Sequence, residues 1–155
     1  MKKGFTLLEI LIGASIITAS FLGVLTVFDR LTKASQQMMD LTQAYFLLEE
    51  GLEVARIWRD NSWINLGDWS NGAEYYLIWT NGQWATSTVN TFLDGKFERK
   101  IKLNSVQRDS SSDDIVISGG TDDPGTKLIT ATVAWRADNA TTTKIISTYL
   151  TDLFN

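Results

Sequence analysis

Cysteine and histidine are both absent from this 155-residue chain, and proline occurs once, at Pro124. Without cysteine there is no disulfide framework and no thiolate chemistry. The compartment stays open on that count, because an exported protein can fold without disulfides. Without histidine the chain lacks the commonest general base and the commonest metal ligand. With no proline before residue 124, no such breaker interrupts a helix begun near the N-terminus. Basic charge is scarce too: 14 Lys and Arg stand against 18 Asp and Glu, a net −4. Beyond the short FERKIK stretch there is no basic stripe, which argues against a nucleic-acid surface. Leu, Ile, Val and Phe are nevertheless too frequent for a disordered chain.

What is present is unevenly distributed. From Phe5 to Phe28 nearly every residue is apolar or small. A helix of that length measures about 36 Å, enough to cross a hydrocarbon core of roughly 30 Å with some tilt. Lys2 and Lys3 precede it, so the positive-inside rule puts the N-terminus in the cytoplasm and the following domain outside. A secretory signal peptide competes with this reading, but its apolar region spans about 7–15 residues and ends in a small-residue cleavage site. Here Asp29-Arg30-Leu31 follows Phe28 instead. Thr6, Ser15, Thr18, Ser20 and Thr26 can bond back to helix carbonyls, and Gly13 and Gly23 permit close helix approach without forming GxxxG. Glu9 is the anomaly. A carboxylate near the end of such a segment costs a few kcal/mol, and snorkelling to the headgroups is one way to reduce that cost.

The string Lys2-Lys3-Gly4-Phe5-Thr6-Leu7-Leu8-Glu9 resembles the processing site of type IV prepilins and pseudopilins. Members of that family share a short basic leader ending in Gly, then Phe, then Glu at the fifth mature position. The resemblance implies cleavage after Gly4 by a prepilin peptidase, methylation of the new amine of Phe5, and Glu9 at the fifth position. It further implies that Glu9 pairs with the amine of a neighbouring subunit in a filament of staggered helices. Such pairing would relieve two charges that are each unfavourable alone in a low-dielectric medium.

The helical pattern runs on past the apolar segment. Leu31, Ala34, Met38, Leu41, Tyr45, Leu48, Leu52 and Ala55 follow alternating steps of three and four, predicting one helix to Arg59 or Asp60. Two explanations fit this stripe: a two-stranded coiled coil, or packing of its membrane-distal part on the chain's own sheet, as in the pilin-like fold. Glu49, Glu53 and Arg56 share a face, reading as a solvated charged surface with Arg56 offsetting the carboxylates. The Glu49–Arg56 segment also resembles one found in some bacterial minor pilins.

After Asp60 the composition turns to Trp, Asn, Gly and Ser. Residues 61–69 read as a loop with two aromatic anchors. Residues 73–79 and 84–89 form a predicted hairpin around an Asn81-Gly82 type I′ turn. Residues 97–106 alternate, with Phe97, Arg99, Ile101 and Leu103 on one face and Arg99 expected at its edge. A short strand at 115–118 follows the polar loop 109–114. A loop over 119–127 leads to a strand at 128–137, with Ile129, Ala131, Val133 and Trp135 facing one way, and a last strand occupies 142–153. The architecture is therefore α+β, a long N-terminal α-helix packed on an antiparallel β-sheet. The closing hairpin resembles minor pilins of the PilV type or the I-type pseudopilins of type II secretion. The organisation expected is leader 1–4, membrane helix 5–28, amphipathic continuation 29–60 and a globular β domain 61–155.

Three features imitate chemistry. Gly120–Lys127 approaches a phosphate-binding loop, but its Thr and Lys are in the wrong order and no helix follows. Asp113, Asp114, Asp122 and Asp123 supply oxygen ligands suited to calcium, although acidic pairs in polar loops are ordinarily solvated. Six Trp in a small chain can build a sugar-stacking or partner-binding surface, with Trp63, Trp69, Trp79 and Trp84 as candidates and Trp135 in the core. No nucleophile–base pair is discernible and no cofactor is implied. The reading is a non-enzymatic, processed subunit of a type IV pilus-like filament. Its partners would be other pilin subunits, the prepilin peptidase, a membrane assembly platform and the lipid bilayer. Alternatives are a type II secretion pseudopilin, or a membrane-anchored extracytoplasmic binding module that does not polymerise.

Overall fold

The computed structural model describes residues 6–67, 69–137 and 140–153. Two compact units make up the chain, Met1–Leu41 and Thr42–Asn155. A single helix, α1 (Leu7–Asn61), runs from one into the other. The absence of proline lets it persist well past the apolar segment, and it stops where the chain turns to Ser62 and Trp63.

Between Leu7 and Leu41 no residue of α1 is buried. Ser15, Thr18 and Thr26 donate their hydroxyls to the carbonyls of Ile12, Ala14 and Leu22, so these polar groups are satisfied within the helix as the sequence implied. From residue 42 onward α1 packs on the sheet, burying Ala44, Leu48, Gly51, Leu52, Val54 and Ala55. Of the predicted stripe only Leu48, Leu52 and Ala55 are buried, while Leu31, Met38 and Tyr45 are exposed. A stripe is buried only where a partner surface exists, and an untwisted helix drifts away from a strict seven-residue repeat. Gly51 marks a close approach: a Cβ there would lie 3.4 Å from that of Ala131.

A one-turn helix α2 (Ile64–Gly67) interrupts the expected loop and buries Leu66. The strands are β1 (Glu74–Thr80), β2 (Gln83–Ser87), β3 (Phe97–Arg108), β4 (Ile115–Val116), β5 (Thr121–Ala137) and β6 (Ala140–Thr151). They form one antiparallel sheet in the order β2-β1-β3-β5-β6, with β4 added beside β3. The β1–β2 turn has positive φ at Asn81 and Gly82, as a type I′ turn requires.

The inner face carries Phe97, Arg99, Ile101 and Leu103 of β3 beside Ile129, Ala131, Val133 and Trp135 of β5, all buried. Phe97 and Trp135 are register partners with ring centroids 5.8 Å apart, and each large side chain so buried contributes about 1.5–3 kcal/mol. The outer face of β3 is polar, with Glu98, Lys100, Lys102 and Asn104. Tyr76 donates to Glu98 at 2.9 Å, and Lys100 bridges Glu98 and Glu74 at 3.2 and 3.3 Å.

Two expectations need correction. The segment 119–127 is not a loop for most of its length, since β5 begins at Thr121. A register shift accommodates Pro124: Ser105 pairs with Lys127 but Val106 with Asp123, leaving residues 124–126 to bulge from the ladder. Gly120 is fixed by crowding, because a Cβ there would fall 2.5 Å from the Arg108 carbonyl oxygen. Arg99, expected at the edge, lies instead at the centre of the inner face with 3% exposure, because α1 supplies it with a counter-charge.

Candidate functional site

Three places in the chain combine polar groups with unusual exposure. The first is the opening turn of α1. Thr6 precedes the helix, and its backbone N–H and hydroxyl both donate to Glu9 Oε2, at 2.8 and 2.9 Å. The Glu9 N–H in turn reaches Thr6 Oγ1 at 3.4 Å. This is a capping box, in which two otherwise orphaned donors are satisfied reciprocally. Its signature, Thr-x-x-Glu, stands in the sequence at Thr6–Glu9, inside the string that resembles a prepilin processing site. Glu9 Oε1 makes no hydrogen bond among the described residues. Gly4 and Phe5, the expected processing positions, lie outside the described residues.

Beyond this turn the surface of α1 is apolar and exposed. Its length and hydropathy suffice to cross a membrane. Ser20, Gly23, Val24, Val27, Phe28 and Leu31 outline a shallow notch, because Gly23 leaves a gap among larger side chains. Ser15, Ala19 and Gly23 repeat every fourth residue, a small-residue spacing that permits close helix–helix contact. The pattern is not a GxxxG motif, because only one of its three members is glycine.

The second place is inside the Thr42–Asn155 unit. Glu50, on α1, pairs with Arg99, on β3. The Arg99 side chain is 2% exposed and that of Glu50 44%, so the cation is fully desolvated while the anion keeps contact with water. Among the described residues Arg99 Nε has no hydrogen-bond partner, and the guanidinium lies 5.2 Å from the Trp84 ring centroid. Arg56 pairs with Glu53, as the shared helical face suggested. No local pattern signals the Glu50–Arg99 pair, since 49 residues separate its members.

The third place is a groove of about 820 Å³ between the C-terminal end of α1 and the β1–β2 hairpin. Trp58, Trp69 and Tyr75 form one aromatic cluster, with centroid separations of 5.1 and 5.0 Å. Trp79 and Trp84 form another, edge to face at 5.2 Å. Trp79 is 61% exposed. Trp63 belongs elsewhere, its indole N–H donating to the Pro124 carbonyl at 3.1 Å, and Trp135 is core.

The acidic loops are held by protein contacts. Asp123 accepts from Arg108 Nε at 2.7 Å and from the Gly125 N–H at 2.9 Å. Its pKa is lowered, first by the Arg108 hydrogen bond and then by Thr126, against the cost of partial burial. Asp109 is lowered by the Ser111 hydroxyl and by the N–H groups of Ser111 and Ser112. Arg108 also donates to the Asp113 carbonyl at 2.8 Å. Among the described residues, Asp113, Asp114, Asp122 and Asp123 join no group of three or more acidic side chains that could hold a metal ion. No family model, curated protein or solved structure matches the chain.

Proposed function

We propose that the chain is a membrane-anchored structural subunit of a type IV pilin-like filament, assembled through the first half of α1. The observation that carries this reading is the apolar surface from Leu7 to Leu31, on which no residue is buried among the described residues. In lipid such a surface is satisfied, and the Ser15, Ala19 and Gly23 spacing allows parallel copies to approach closely. Glu9 then has two duties: Oε2 caps its own helix, and Oε1 is left for the amine of a neighbouring copy. The N-terminus lies in the cytoplasm and the sheet-bearing unit outside, following Lys2 and Lys3. Leader removal after Gly4, methylation at Phe5 and extraction by an assembly platform complete the proposal.

The test separates Glu9's two duties. Glu9→Gln keeps an acceptor for the Thr6 N–H but removes the charge, whereas Glu9→Ala removes both. Both variants should insert and be processed normally, and both should fail to enter filaments; incorporation restored by Gln would reduce Glu9 to a cap. Intact mass of the membrane form should show loss of Met1–Gly4 and one added methyl. Mature protein bearing its full leader would sink the reading.

A further inference from the structure

We propose that the groove between the end of α1 and the β1–β2 hairpin binds a neutral oligosaccharide of equatorially substituted pyranoses. Its volume of about 820 Å³ falls within the 300–1,000 Å³ common to ligand clefts. Its composition sets the ligand class. The described lining residues include five aromatic side chains and not one charged group. The polar groups among them are neutral: the amides of Asn61, Asn65 and Gln83 and the hydroxyl of Thr86, all on exposed residues.

That mixture suits a pyranose. An all-equatorial sugar has flat C–H faces that stack on aromatic rings and a rim of hydroxyls that both donate and accept. Carboxamides match that rim, since each offers donors and an acceptor. Asn65 already gives one N–H to the Trp58 carbonyl at 3.3 Å, which leaves its oxygen to accept. A phosphate or a nucleic acid would require cations that the described lining lacks. A lipid chain would leave the amides unsatisfied on burial.

Spacing and rigidity point to more than one sugar ring. Tyr75 and Trp79 lie four residues apart on the same face of β1, a separation of about 13 Å along the strand. That exceeds one hexose, so the two aromatic clusters would engage different rings of a chain. The Arg99 guanidinium lies 5.2 Å from the Trp84 ring centroid and is itself paired with Glu50 on α1, a contact that restrains this platform before a ligand arrives, so less entropy is lost on binding. Trp79 stays 61% exposed, an apolar surface that a sugar face would cover. Glycan capture and filament assembly use different parts of the chain, so the failure of one leaves the other standing.

The test is a titration of the full chain in lipid nanodiscs, which avoids glucoside and maltoside detergents that carry the probe's own chemistry. Cellohexaose and chitohexaose are the probes, and tryptophan emission is the readout. Saturable binding is expected with at least one of them below about 10 mM, with Trp79→Ala and Gln83→Leu each at least about tenfold weaker. Gln83 lies in the exposed turn, so its replacement tests the groove even if Trp79→Ala perturbs the hairpin; circular dichroism checks both folds. No saturable response to either probe at that concentration overturns the proposal. So does binding that both folded variants leave unchanged, or a partner protein that binds the groove while neither glycan competes.

Discussion

The two parts of α1 share one backbone geometry and differ in almost everything else. From Leu7 to Leu41 the helix carries large apolar side chains and buries none of them. From Thr42 to Asn61 it carries Gln43, Glu49, Glu50, Glu53 and Arg56, yet it buries six residues against the sheet. Apolar content therefore does not forecast burial within the chain. The first part, up to Phe28, is long and apolar enough to cross a membrane, a solvent in which a helical ladder keeps main-chain polar groups paired. The second part is built for water, where removing Leu48, Leu52 and Val54 from solvent supplies the driving force.

Breaking the second part gives the largest expected effect, and it should be asymmetric. Glu50→Ala leaves the desolvated Arg99 cation without its partner and should cost about 3–5 kcal/mol. Arg99→Met leaves Glu50 half in water and fills the site with apolar volume, so it should cost less than about 2 kcal/mol. Urea midpoints of the two variants decide the matter, and equal losses would contradict the unequal desolvation of the pair.

A charge in the first part should act on insertion alone. Ile17→Lys should penalise membrane insertion by about 2.5–3.5 kcal/mol near the bilayer centre while leaving the unfolding midpoint of the sheet-bearing unit unchanged. Fractionation and thermal melts read the two quantities separately. A lowered midpoint would show that the two parts are not energetically separate.

The smallest effect belongs to the bulged corner of the sheet. Arg108 holds the native pKa of Asp123 below its ordinary value of 3.8. The unfolded chain therefore binds the proton more readily. The ion pair's contribution is present above that ordinary value and disappears as pH falls through the lowered native one. The stability gap between the wild type and Asp123→Asn should thus narrow as pH falls from about 6 to about 3. A gap constant over that range would remove the pair from the account.

Much of the fold was legible because its signals are local. The long helix followed from hydropathy and missing proline, and the hairpin from Asn81-Gly82. The inner faces of β3 and β5 followed from strict alternation at Phe97–Leu103 and Ile129–Trp135. Arg99 was misplaced because alternation assigns a face but cannot name the partner that makes a buried cation tolerable. The extension of β5 through Pro124 has no local signal because Asp122, Asp123, Pro124 and Gly125 are all turn-prone, and only the pairing of Thr121, Asp122 and Asp123 with β3 continues the strand across the bulge. Glu9 was legible as a charge out of place, while its capping role needed the Thr6 geometry.

The sequence by itself determined the long helix, the β1–β2 hairpin and the central alternating strands, since periodicity, turn chemistry and hydropathy act over a few residues. It also determined that the chain carries a membrane-length apolar helix with one carboxylate in its first turn. Only the tertiary structure decided that Glu50 neutralises Arg99, that Arg99 steadies Trp84, and that Trp58, Trp69, Tyr75, Trp79 and Trp84 line one groove. These groups lie tens of residues apart, and what joins them is the packing of α1 on a sheet whose register no local signal encodes.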